Sequence, residues 1–175
     1  MTQPVFEFNP ATAFSLQGQT AIITGGARGI GAAVAKGMAQ SGAHIALFDR
    51  DADAVHELAK QLSEQGFTAH GYMVDVTDEH SIEAAMQAVV ERSGRIDCLF
   101  NNAGLAIRKP SLELSVEDWQ KVLDVNLTGV FLCARLQHVT WSSAKAAASS
   151  IQRPSWDCLA VGFTRISLTN RPKAR

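Results

Sequence analysis

The chain has 175 residues, 46% of them hydrophobic and 19% charged, which suits a single globular unit large enough to bury a core. A formal net charge of −1 removes any electrostatic reason to expect a nucleic acid or an anionic membrane as partner. Residues 1–14 show no basic stretch running into an apolar one, and no apolar run reaches the roughly 20 residues that cross a bilayer, so the expectation is a cytoplasmic protein without a targeting segment.

Three cysteines, Cys98, Cys133 and Cys158, stand far apart in no metal-binding spacing and read as buried or incidental thiols. The five histidines, His44, His56, His70, His80 and His138, fall in no ligand spacing either, and no metal is expected.

Residues 1–18 read as an arm lying on the surface. TAIIT at 20–24 is a short apolar run ending in glycines, the pattern of a buried strand. Gly29–Gln40 follows, with Ile30, Val34 and Met38 at helical spacing and Gly42 as its stop signal. Residues 44–48 form a second strand closed by Asp49. Ala52–Glu64 is an amphipathic helix with Val55, Leu58 and Leu62 on one face. Residues 68–74 form a third strand, and Thr77 or Asp78 caps a helix that carries Ile82, Ala85, Met86 and Val89 to near Gly94. Residues 96–100 form a fourth. Ser115 and Asp118 resemble a capping box, opening a long helix through Trp119, Val122, Leu123, Asn126, Val130 and Phe131.

Four strand–helix repeats with apolar, non-alternating strands predict an α/β fold. Right-handed crossovers make it a doubly wound parallel sheet, Rossmann-like, over residues 19–135, truncated after the fourth strand and its helix. In such a fold the turn after the first strand holds phosphates. Here Gly25 allows a sharp turn, Gly29 lets backbone approach a diphosphate, Gly31 lets the helix pack on the sheet, and the helix start offers free N–H groups.

The spacing Thr24-Gly25-Gly26-Ala27-Arg28-Gly29-Ile30-Gly31 resembles that of the short-chain dehydrogenase/reductase family. Asp49 stands 18 residues after Gly31, where a carboxylate can accept both ribose hydroxyls of an adenosine and repel a 2′-phosphate. Asp75-Val76 is similar to the family's adenine-contacting pair. Asn101-Asn102-Ala103-Gly104 is similar to its NNAG motif, and Asp124 to Gly129 to the helix motif that carries its catalytic Asn. The resemblance implies an oxidoreductase acting on a secondary alcohol or ketone, a polyol or sugar being the weakly favoured substrate. It assigns Thr24, Gly25, Arg28, Gly29, Ile30, Gly31, Asp49, Arg50, Asp75, Val76, Asn102, Ala103 and Gly104 to the cofactor and Asn126 to catalysis. Asp49 favours NAD; Arg28 and Arg50 keep NADP as the alternative. The family is usually homo-oligomeric, which here lacks much of the expected interface.

The resemblance stops near Arg135. By resemblance the reaction needs Asn, Ser, Tyr and Lys, with Tyr as the acid/base and Lys lowering its pKa. No Tyr-x-x-x-Lys occurs, and the single tyrosine, Tyr72, reads as structural. Trp141 to Lys145 imitates the motif with Trp for Tyr, and indole cannot do acid/base work. Residues 136–175 hold six basic side chains and one acidic one, +5 against −6 for the remainder, and lose periodicity. This fits an aberrant, poorly ordered tail and either an impaired enzyme or a non-catalytic dinucleotide-binding remnant. It also fits coding DNA read out of frame from about Leu136: shifted by one base, Trp156 followed by Asp157 must encode glycine. Sequencing the DNA past that codon checks this; a shift of frame should restore Tyr-x-x-x-Lys, and its absence in every frame would end the idea.

Overall fold

The computed structural model describes residues 14–110 and 112–137. The first thirteen residues of the arm, and residues 138–175 with Trp141 and Lys145, lie outside the described residues. Four strands, β1 (Thr20–Thr24), β2 (His44–Asp49), β3 (Ala69–Met73) and β4 (Cys98–Phe100), form one parallel sheet in the order β3-β2-β1-β4. Parallel neighbours require crossovers. These are α1 (Gly29–Gln40), α2 (Ala52–Glu64) and α3 (Glu79–Ser93). The doubly wound α/β sheet expected from the pattern is therefore present, with the reversal of strand order between β1 and β4.

Two cores explain why the strands read as apolar without alternation. Ile23, Ile45 and Leu47 point to one face and meet Ala35, Val55 and Leu62 from α1 and α2. Ile22, Phe48 and Leu99 point to the other and meet Ile82, Met86 and Val89 of α3. All five β1 side chains are buried. Each fully buried Leu, Ile or Phe stabilises by about 1.5–3 kcal/mol, so the two layers hold the sheet in register. A fourth helix, α4 (Val116–Leu123), passes through a π-helical turn, Asp124–Thr128, and continues helically over 129–137. Cys133 and Leu136 from that continuation are buried in the second core, so packing runs past Arg135. Burial pushes the Cys133 thiol up to about 12, which makes it an inert packing group.

Local signals account for the boundaries. Asp51 accepts from Ala54 N–H to cap α2, Asp78 from His80 N–H to cap α3, and Ser115 from Asp118 N–H to open α4. The capping box at Ser115 is half made, because the Asp118 carboxylate turns instead to the Lys109 ammonium. Gly94 ends α3 in the left-handed region, φ 74°. Two strands are shorter than the pattern suggested. β4 begins at Cys98 because the Asp97 carboxylate, not a backbone carbonyl, takes the Thr20 N–H. β3 ends at Met73; Val74 still donates to the Asp49 carbonyl before the chain turns at Asp75.

Two glycines separate crowding from intrinsic propensity. A Cβ on Gly71 would lie 2.7 Å from the Val55 carbonyl oxygen, whereas one on Gly37, exposed on α1, meets nothing within 4 Å. Gly71→Ala should lower stability by about 1–3 kcal/mol as overpacking does. Gly37→Ala should raise it by about 0.5–1 kcal/mol. Urea midpoints of the two variants moving in the same direction would contradict this packing.

Candidate cofactor-binding site

Most of the residues singled out in the sequence gather at the carboxyl ends of the strands. The loop after β1 turns on Gly25, φ 61°, and Gly29, φ 56°, values that favour glycine. The close packing at Gly25 is backbone on backbone: a Cβ there would fall 2.8 Å from Ala103 Cα. Gly31 is equally tight, since its Cβ would overlap the Gly25 carbonyl and sit 2.7 Å from Asn102 Nδ2. Gly29 differs. A Cβ there would enter open space, on the side of the loop that a ligand can reach.

The loop is held from β4. Thr24 Oγ1 accepts the Asn102 and Ala103 N–H groups at 3.0 Å each. Asn102 Nδ2 donates to the Thr24 and Gly25 carbonyls at 3.1 and 3.0 Å. Asn102 thus braces the loop with its amide, a task its spacing alone did not reveal. Gly104 follows, close to Asn126 Oδ1.

α1 has no side-chain cap. Arg28 stands at its N-cap in an extended conformation, with no side-chain hydrogen bond to the helix start, whereas α2, α3 and α4 are capped by Asp51, Asp78 and Ser115. The first N–H groups of α1 therefore keep their capacity for an anion. Beside them Ile30 is 72% exposed, an apolar side chain left at the open mouth of the site.

Asp49 sits where β2 ends, half-buried. Its Oδ2 accepts the Ala27 N–H at 3.1 Å and its Oδ1 the Asp51 N–H at 3.1 Å, tying two turns together. The Arg28 guanidinium pairs with Asp51 at 2.6 Å, both exposed, so Asp51 caps a helix and neutralises the loop's cation. The sequence reading did not single out Asp51; an Asp before an amphipathic helix was its only signal. Asp75 is exposed, and Thr77 donates to it from backbone N–H and hydroxyl. The Thr77 backbone bond first, then its hydroxyl, hold the Asp75 carboxyl below its ordinary 3.8, with Arg50 adding a weaker pull. Val76 is buried against Gly129, where a Cβ would come within 2.9 Å of Val76 Cγ2.

Asn126 lies in the π-helical turn, a feature frequent at functional sites and invisible in the sequence period. Its Oδ1 accepts the Leu105 N–H at 2.7 Å and its Nδ2 donates to the Leu105 carbonyl at 3.0 Å. It thereby fixes the segment after Gly104. Tyr72 is elsewhere, on the edge strand β3, its ring 5.6 Å from that of Phe48 in an edge-on packing. Among the described residues no three His, Cys, Asp or Glu side chains converge on a metal site, and no helix is long and apolar enough to cross a membrane.

The geometry defines a nucleotide-site architecture at the switch point of a doubly wound sheet. The family model for short chain dehydrogenases matches residues 19–151, and the chain belongs to that family. The matched span extends beyond Arg135 and includes Trp141 and Lys145. D-threitol dehydrogenase of Mycolicibacterium smegmatis is 45% identical over 119 residues, 68% of this chain and 46% of that protein. Among solved structures, a putative gluconate dehydrogenase from Agrobacterium tumefaciens is 40% identical with a TM-score of 0.67, covering 71% of this chain and 49% of that one. A 3-ketoacyl-(acyl-carrier-protein) reductase from Brucella melitensis, complexed with NADH, is 29% identical with a TM-score of 0.70, covering 76% and 54%. The chain spans about half the length of such relatives.

Thr24 is buried, and its hydroxyl serves two N–H groups at once. Thr24→Val should leave both without an acceptor, at about 1–3 kcal/mol for each buried orphan. Thermal or urea unfolding measures that loss, while Thr24→Ser should retain most of the stability. Equal stability of the valine and serine variants would show that the tie is idle.

Proposed function

We propose that the chain binds a nicotinamide dinucleotide at the β1–α1 loop, NAD in preference to NADP. The parent activity is hydride transfer with a small secondary alcohol or ketone of polyol or sugar type. The observation that carries this reading is the uncapped start of α1 behind the open side of Gly29, flanked by the Asp49 carboxylate. Thr24, Gly25, Arg28, Gly29, Ile30 and Gly31 would cradle the diphosphate, Asp49 the adenosine ribose, Asp75 and Val76 the adenine, and Asn102, Ala103 and Gly104 the far side. A bound nicotinamide supplies hydride exchange at its ring. NAD is favoured because Arg28 is committed to Asp51 and Arg50 acts on Asp75, leaving Asp49 to meet the ribose. D-threitol dehydrogenase and the gluconate dehydrogenase structure support the polyol and sugar-acid direction by their names.

A second reading, a non-catalytic dinucleotide-binding module, rests on Tyr72. It is the one tyrosine, it packs against Phe48, and Val76 stands where Tyr-x-x-x-Lys would need its lysine. With Asn126 as the sole tetrad candidate, little or no turnover is expected. Trp119, Leu127 and Phe131, exposed on α4 and its helical continuation, leave an apolar face that a second copy would cover in the family's usual homo-oligomer, of whose expected interface this chain lacks much.

NADH fluorescence titration and a hydride-transfer assay across a panel of sugar alcohols separate the readings. Binding without turnover supports the second; turnover abolished in Asn126→Ala supports the first; no binding sinks both. Asp49→Ala should weaken NAD by about 1.5–3 kcal/mol, the range for hydrogen bonds to a charged group, and relax discrimination against NADP. Unchanged NAD affinity in that variant would refute the role given to Asp49.

A further inference from the structure

The opposite end of the sheet carries a second concavity. The register sets Thr20 beside His44 and Ala46 beside His70. Side chains alternate along a strand, so Thr20 shares the face of Ile22, His44 that of Ala46 and Phe48, and His70 that of Tyr72. This is the face that α3 covers. α3 stops at Ser93, where Gly94 turns the chain, and its last turn, with Val89, Arg92 and Ser93, flanks the first residues of the strands. Between them lies a cleft of about 340 Å³, within the size range of small-molecule sites, walled by Thr20, His44, His70, Tyr72, Val89 and Arg92 among others.

Its chemistry is one-sided. Arg92 supplies a permanent cation, and His70 and His44 lie close enough that both Arg92 and His44 act on the His70 charge. Among the described residues no carboxylate lines the cleft. Asp97 approaches from the loop before β4, but it accepts the Thr20 N–H and is clasped by the Arg95 guanidinium. The Ser93 hydroxyl is engaged by the Val89 and Arg95 carbonyls. Ala46, Tyr72 and Val89 make the remaining wall apolar. At the floor Thr20, 2% exposed, has a hydroxyl with no hydrogen-bond partner. A buried polar group left so in a well-packed protein calls for an explanation, and an unbound ligand is one.

We propose that this cleft is a binding site for a small monocarboxylate with an apolar body. The carboxylate lies against Arg92 and His70, within reach of a rotated Thr20 hydroxyl, and the body lies on Ala46, Tyr72 and Val89. One permanent cation above an apolar wall suits a single negative charge better than a phosphate dianion. Burial first, then Arg92 and His44, hold the His70 imidazole below its ordinary 6.5. Protonating His70 adds a second cation, so affinity rises as pH falls. The site stands at the amino ends of the strands and the dinucleotide loop at their carboxyl ends, so the two are independent.

The test uses the full chain, with benzoate as probe, benzamide as its neutral isostere and inorganic phosphate as the dianion. Histidine ring resonances are followed by NMR. Benzoate should shift His70 and His44 saturably, more tightly at about pH 5.5 than at about pH 7.5, and benzamide should not. Arg92→Met should weaken benzoate about 10- to 100-fold, and Thr20→Val about three- to tenfold. Arg92 is exposed and the Thr20 hydroxyl is unpartnered, so unfolding midpoints of both variants should stay near that of the parent. Absence of a saturable shift, equal binding of benzamide, or undiminished affinity in Arg92→Met would overturn the proposal. Phosphate binding as tightly as benzoate would overturn its monocarboxylate assignment.

Discussion

The Thr24 hydroxyl and the Asn102 amide connect the ends of β1 and β4, and the candidate site depends on that connection. Four hydrogen bonds between 3.0 and 3.1 Å pass between these two residues and their neighbours. They fix a loop that its glycines, two of them in the left-handed region, would otherwise leave conformationally free. A fixed loop matters because free N–H groups at a helix start attract an anion only if they converge before it arrives. Asp49 completes the frame from β2, holding the loop through Ala27 and its own turn through Asp51.

Parallel strands explain why so many residues of this kind meet. Every strand points its carboxyl end the same way, so the segments after β1, β2, β3 and β4 emerge at one rim. In the order β3-β2-β1-β4, α1 and α2 cover one face and α3 the other, and the reversal opens a crevice at the β1–β4 boundary, where Gly25 and Ala103 touch. The π-helical turn at Asn126 belongs to the same rim, since its amide clasps Leu105 immediately beyond Gly104. The amino ends of the strands meet the other rim, and there the last turn of α3 walls the basic cleft at His70 and Arg92.

Much of this was legible in the sequence because it rests on period and punctuation. The bounds of α1 and α2 follow from helical spacing, and Gly94 stops α3 where its left-handed conformation requires. Side-chain competition with backbone was not legible. Asp97 takes the Thr20 N–H that a longer β4 would have used, and Asp118 prefers Lys109 to its half of a capping box. At the site, spacing located Asn102, Asp49 and Asn126, but their partners are set by tertiary contact. Nothing in a linear pattern shows that Asn102 braces a loop 77 residues earlier. Nor does it show that Asp51 answers the charge of Arg28.

The family match and the shared fold concern about half the length of the relatives, so the central claim is narrower than an activity: a preformed dinucleotide cradle in this chain. Amide hydrogen exchange of the full chain, with and without NAD, tests it most directly. A working cradle gains protection at Gly25 to Gly31, at Asp49 to Asp51 and at Ala103 and Gly104, with the α3 end of the sheet unchanged. Unaltered exchange in the loop at saturating NAD, or protection confined to other segments, would contradict it.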